Sequence, residues 1–155
     1  LLGKVEMDSG RCESAEQYVR PLYESHPEMP EAGQLMIAWQ TRAGQEAEKR
    51  KDAAGAEKHY REALAIDANS PALQAQLGVL CLTQGRFADA VAPLEKYRQL
   101  QPENPQASLF LGQAYAASGR VEDARRILGE GAQLAEKQGN ATTARYCREI
   151  LQQLR

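Results

Sequence analysis

Two consecutive stretches decide the fold. Residues 71–104 read PALQAQLGVLCLTQGRFADAVAPLEKYRQLQPEN, and residues 105–138 read PQASLFLGQAYAASGRVEDARRILGEGAQLAEKQ. Laid over one another, Pro71 falls on Pro105, Leu77-Gly78 on Leu111-Gly112, Gly85 on Gly119 and Ala90 on Ala124, each 34 residues apart. A fixed period of this length is the mark of a stack of small supersecondary units. Each stretch divides at its central glycine into two helical patterns. Pro71 suits a helix start, where its missing N–H costs nothing and its φ is already right. Gly85 suits a helix end, where a left-handed residue is wanted. Leu73, Leu77, Leu80 and Cys81 share one face of the first helix; Ala90, Leu94, Tyr97 and Leu100 share one face of the second, which Pro102 closes. The next stretch repeats this with Ala107, Leu111, Ala114 and Tyr115, then Val121, Ala124 and Leu128.

Working upstream, Gly10 and Gly44 are again 34 apart, whereas Ala15 to Ala56, Pro30 to Pro71 and Gly44 to Gly85 each span 41. A seven-residue insertion accounts for the longer step. Its expected site is Glu46 to Asp52, adding one turn to each helix of that repeat. Glu46 would pair with Arg50 and Glu48 with Lys51 at helical spacing. Upstream of it, the first repeat begins in the middle of a helix, at Leu2-Gly3, an unfinished edge, and the opening without an initiator Met suggests a piece of something longer or a processed product. Downstream, Gly139-Asn140 breaks the chain before a last helix with Ala144, Cys147, Ile150, Leu151 and Leu154 on one face. Repeat arrays need such a terminal helix to cover the last apolar surface. The expected layout is a single domain, 1–155: a partial repeat at 1–29, a repeat with the insertion at 30–70, regular repeats at 71–104 and 105–138, and a capping helix at 139–155.

Composition narrows the function. The chain has 155 residues with only 6% aromatic content and many Ala, Leu, Glu, Gln and Arg residues, which favours helix over sheet. A formal charge of −2 gives no electrostatic footprint for nucleic acid, which needs clustered excess Lys and Arg. No apolar run of about 18 residues offers a membrane span. Cys12, Cys81 and Cys147 are widely spaced and odd in number, against both a disulfide framework and a zinc site, so all three are expected as buried thiols. His26 and His59 stand apart, with His59 placed on an outer helix face. Gly129-Glu130-Gly131 has neither the preceding strand nor the Lys-Ser/Thr of a phosphate loop and is expected to thin a helix for close packing. Pro21 and Pro93 fall inside second helices and are expected to kink them. No catalytic constellation emerges, so no enzyme activity, cofactor or metal is expected.

The spaced pairs Leu77-Gly78 and Leu111-Gly112, with Cys81, Ala90, Leu94 and Pro102, then Tyr115, Ala124 and Leu128, resemble the tetratricopeptide repeat family. The second repeat keeps Pro30, Gly44, Ala56, Tyr60 and Ala63, with Met36-Ile37 where Leu-Gly is expected, and Gln74 and Ser108 stand where the family has its leading aromatic. The resemblance implies an all-α, right-handed superhelical solenoid of antiparallel helix pairs. It also implies a concave groove lined by the first helices, where peptide segments bind. Carried over residue by residue, the groove comprises Gln34, Ala38 and Arg42, then Ala75, Val79 and Leu82, then Leu109, Gln113 and Ala116. Val79, Leu82, Leu109 and Phe110 would form a moderately apolar strip in it. The family's carboxylate clamp for chaperone tails is absent, since Gln34, Ala38, Gln76, Gln106 and Phe110 occupy its positions.

The function expected from this is a non-catalytic scaffold that binds a protein partner, as a peptide segment or helix, in the groove, with no nucleic acid and no membrane span. Two alternatives stand beside it. One is a regulatory or assembly domain of a larger protein with an upstream catalytic domain. The other is a self-assembly module using the incomplete N-terminal repeat for edge-to-edge association, which the charges of residues 1–35 (net −4) and 105–155 (net +2) would favour weakly. A soluble chain of this kind is placed in the cytoplasm ahead of the periplasm.

Overall fold

Prolines and small polar residues start several of the helices, and left-handed residues end several of them. The computed structural model describes residues 12–154. In order these form α1 (Cys12–Ser25), α2 (Pro30–Lys49), α3 (Ala53–Ile66), α4 (Pro71–Thr83), α5 (Phe87–Leu100), α6 (Pro105–Ala117), α7 (Val121–Lys137) and α8 (Ala141–Gln153). No strand occurs among the described residues. Pro30, Pro71 and Pro105 are first residues of α2, α4 and α6. Asp52 accepts from the Gly55 N–H at 2.9 Å, Asn104 from the Gln106 N–H at 3.0 Å and Asn140 from the Thr143 N–H at 3.1 Å, each satisfying an orphan donor of the helix that follows. At the other end, Gly85, Gly119 and Gly139 have φ of 71°, 82° and 69°. The residue after each donates back five positions, from Arg86 to Cys81, from Arg120 to Tyr115 and from Asn140 to Ala135. This is the left-handed helix stop.

Lys51, with φ 62°, holds the corresponding place after α2, and Asp52 donates to the Ala47 carbonyl. Lys51 precedes Gly85 by 34 residues, so the period continues upstream without a break at this point. The seven extra residues therefore do not lie at Glu46 to Asp52. All of them are in α2, which has 20 residues against 13 in α4 and in α6, while α3 and α5 both have 14. The addition is two turns before Ala43-Gly44, which, and not Met36-Ile37, occupies the Leu-Gly place. Two whole turns on one helix keep its buried face in phase, which is why the sequence tolerates them there. The expected ion pairs change accordingly. Glu46 pairs with Lys49 at 2.7 Å, and Glu48 accepts from the Tyr60 hydroxyl.

The helices group into two compact units, residues up to Leu73 and residues from Gln74 onward, with the division inside α4. In the first, α2 packs against α1 and α3. Ala15, Val19, Met36, Trp39 and Ala43 form its core, with Tyr23, Leu35 and Ile66 packed against it. In the second, α6 packs against α5 and α7, and α8 against α7 and α6. Its core holds Leu77, Leu80, Cys81, Ala90, Leu94, Leu111, Ala114, Tyr115, Ala124, Ile127, Leu128 and Cys147.

One contact repeats through both units and explains the period. A Cβ added at Gly44 would come to 2.5 Å of Tyr60 Cε1, one at Gly78 to 2.5 Å of the Leu94 side chain, and one at Gly112 would collide with Leu128. These are three copies of one joint at 34-residue spacing: a bare backbone on the first helix receives a large side chain from the second. Gly131 does the same between other helices, since its added Cβ would meet Ser108 Cβ at 2.7 Å and Cys147 Sγ at 3.5 Å; Gly129 faces open space and has no such role. α1 and α5 run through Pro21 and Pro93 as single helices. Cys81 and Cys147 are buried, and Cys12 has a side chain outside the described residues.

Candidate functional site

The first helices of the second unit carry an unusual face. α4 (PALQAQLGVLCLT) and α6 (PQASLFLGQAYAA) contain no Asp, Glu, Lys, Arg or His. One side of α4 goes into the core through Leu73, Leu77, Leu80 and Cys81. The opposite side presents Ala75, Gln76, Val79 and Leu82, all half-buried. On α6 the corresponding side presents Phe110, Gln113 and Ala116, again half-buried, with Gln106 and Ala117 exposed. Spacings of three and four residues keep each set in one stripe. The stripes are apolar and amide-bearing, with the charges of this unit placed on α5, α7 and α8 and in the turns that hold Arg86, Glu103 and Arg120.

The residues expected in a groove are distributed as follows. Gln34 and Ala38 are exposed on α2 and Arg42 is half-buried there, with Gln34 on the two extra turns. Ala75, Val79, Leu82, Gln113 and Ala116 lie on the α4 and α6 stripes as described. Leu109 does not belong to an open strip: it is 6% exposed, a core residue. Its position faces the next element inward, where a leucine is large enough to be covered, while Phe110, one position on, keeps part of its ring accessible. Tyr146 was not among the expected residues. It stands five residues after the first residue of α8, as Phe110 stands five after the first residue of α6, so the register carries a second aromatic onto the neighbouring helix. Tyr146 is 44% exposed, with the Arg145 guanidinium 5.1 Å from its ring centre.

A polar cluster in the first unit also departs from the expectation that His59 is an isolated outer-face residue. Gln40 is fully buried at the place of the family's leading aromatic. Its oxygen lies 2.6 Å from His59 Nδ1, and its nitrogen donates to Glu62. The amide oxygen accepts, so the neutral His59 ring carries its proton on Nδ1. Trp39 meets the His59 ring edge-on, centroids 5.6 Å apart, and Arg20 from α1 lies over Trp39 at 5.4 Å and 3.9 Å from Glu62. Burial, opposed by the Glu62 charge, holds the imidazole below its ordinary 6.5. The second unit has a related cluster at 68-residue spacing. Arg98 donates to Ser108 at 3.2 Å and pairs with Glu130 at 2.5 Å, Ser108 and Glu130 matching Gln40 and Glu62. The signal in the sequence was this pairing of polar residues two periods apart.

Elsewhere, Tyr115 donates to Glu95 at 2.5 Å under the Arg120 guanidinium, 4.1 Å from its ring centre. Burial first, then the hydrogen bond to Glu95, pushes the phenol up to about 12. These groups tie α5, α6 and α7 together. Among the described residues no cluster of three or more His, Cys, Asp or Glu side chains is placed to hold a metal ion, and no helix is long and apolar enough to cross a membrane.

Comparison with known proteins follows this geometry. The TPR2B domain of yeast Sti1, in a structure described as a complex with pHsp70, superposes with a TM-score of 0.69 at 17% identity, covering 77% of this chain and 96% of that one. The second TPR domain of human RPAP3, in complex with the HSP70 peptide SGPTIEEVD, gives 0.67 at 17% identity, covering 76% and 97%. MamA from Desulfovibrio magneticus RS-1 gives 0.61 at 16% identity and covers 99% and 89%. Likenesses at these identities show the fold, an all-α helical-repeat solenoid. No curated protein matches the chain. The family model described as tetratricopeptide repeat matches residues 47–95 and 82–146, most of the chain, and this chain belongs to that family.

Proposed function

We propose that the chain is a non-catalytic protein–protein interaction scaffold whose working surface is the first-helix face, with the α4 and α6 stripes at its centre. The observation that carries this reading is the set Val79, Leu82 and Phe110, apolar side chains that the fold leaves partly accessible on helices whose other side fills the core. A few desolvated contacts dominate most interfaces, and such side chains supply them. The reading is supported by the RPAP3 structure, described as a complex with an HSP70 peptide, and by the Sti1 structure, described as a pHsp70 complex, both of this fold.

The test is retention of a partner by the chain used as bait. Leu82→Asp combined with Ala116→Asp is expected to abolish retention while helical content and melting stay close to the parent, because both side chains are half-buried on the stripes. Ala92→Asp, on the exposed side of α5, is expected to retain the partner. Retention lost only with Ala92→Asp would move the working surface to the second helices.

A further inference from the structure

We infer that the α4 and α6 stripes take an extended, uncharged, apolar peptide segment, and not an acidic chain terminus. This rests on the groove reading above and specifies its ligand. α4 and α6 hold no ionisable side chain of the Asp, Glu, Lys, Arg or His type, so a carboxylate laid on them loses its water and meets no cation. The charges on α8 are paired, Arg145 lying 3.5 Å from Glu149 and Arg148 donating to Glu136 of α7. The face is therefore matched to a segment without charge.

The glutamines point to an extended backbone. An extended segment brings an unpaired N–H and C=O at each residue, whereas a helix has already paired its own. Gln76 and Gln113 each offer a donor and an acceptor to such a backbone. Among the described residues the Gln76 side-chain oxygen is buried without a hydrogen-bond partner, a costly arrangement that a swing toward a ligand N–H would relieve. Side-chain selectivity comes from the aromatic row. Phe110 and Tyr146 occupy the same register position on the packed helices α6 and α8, and the Phe110 ring, with the Tyr146 face turned away from Arg145, suits proline and aliphatic side chains.

The experiment is selection of random twelve-residue peptides displayed through their C-termini, so that no terminal carboxylate is offered, on the full chain. Recovered peptides are expected to be poor in Asp, Glu, Lys and Arg relative to the starting library. Synthesised with both ends blocked, they should lose less than about twofold in affinity between low and high salt. Gln113→Glu should weaken them by about tenfold or more, through an unpaired charge in the contact, with melting unchanged. The peptide SGPTIEEVD serves as the acidic comparator and is expected not to saturate. Recovery of charged or helix-forming peptides, a steep salt dependence, or tight binding of SGPTIEEVD, with binding still lost on Leu82→Asp, would overturn the uncharged-segment inference and leave the groove reading standing. An empty selection, or peptides indifferent to Leu82→Asp, would overturn both.

Discussion

At the scale of single residues, the clearest economies are in the backbone. Lys51 adopts the left-handed conformation that Gly85, Gly119 and Gly139 adopt at the other helix ends. A side chain there costs about 1–2 kcal/mol, so Lys51→Gly is expected to raise the denaturation midpoint by a stability gain of about 1 kcal/mol. The glycine joints predict the reverse: Gly78→Ala and Gly112→Ala should each destabilise by about 1–3 kcal/mol, because Leu94 and Leu128 occupy the space. Thermal or denaturant unfolding checks both. His59 gives a pH dependence. Its folded pKa lies below 6.5, so the unfolded chain takes up the proton first as pH falls. Its contribution is complete above pH 6.5 and is lost on acidification through the window below that value. Trp39, the single tryptophan, touches this ring. Its emission should drop in that same window through quenching by the imidazolium, and both the drop and that part of the stability slope should vanish in His59→Gln. The thiols complete this scale. Cys147 is fully buried and its pKa is pushed up to about 11 by that burial, so it and Cys81 should react slowly with a thiol reagent until the chain is denatured.

At the scale of elements, the helix pairs were legible in the sequence because their landmarks are residues with one physical use. Pro71 and Pro105 start helices, Gly85 and Gly119 stop them, and Ala90 and Ala124 sit at fully buried crossings. Ala90→Leu and Ala124→Leu are each expected to cost about 1–3 kcal/mol by overpacking, with Ala92→Leu on the exposed side nearly silent, as a denaturant series will show. The second repeat was misread for a reason of the same kind. Lys51 stands where a glycine is expected at a left-handed stop, so in the sequence Gly44, an in-helix packing residue, reads as the stop and the extra turns fall after it. Leu109 was misread because spacing assigns a residue to a helix face but does not say how deeply a neighbouring helix covers that face. The Gln40–His59–Glu62 cluster was hidden because polar residues at helical spacing look solvated until the partners from other helices are in place. Tyr146 was hidden because α7 is longer than α5, 17 residues against 14, which moves the next helix out of the plain 34-residue count.

At the scale of the whole molecule, charge is sorted by layer: the first helices of the second unit are neutral and the second helices carry the ionic contacts, such as Arg86–Asp89 at 2.7 Å and Arg120–Asp123 at 2.7 Å. Those exposed pairs contribute little to stability and keep the outer side soluble, while the neutral side stays available for a partner. The family and the all-α class followed from the period, the Leu-Gly, Ala and Pro residues set on it, and a composition that favours helix. The proposed ligand class needed the structure, since only burial separates Leu82 and Phe110, which are partly open, from Leu109, which is not. The recurring glycine joint has one more consequence. Gly78 with Leu94 and Gly112 with Leu128 are the same lock and key, and the join at Asn104–Pro105 opens between them. Residues 71–104 thus carry their own internal joint. A duplicated copy spliced in after Asn104 would bring that joint with it, so the length of this protein is a quantity that evolution, or an engineer, can change in steps of 34 residues, with only the faces between repeats, where Arg98 now meets Ser108, left to be refitted.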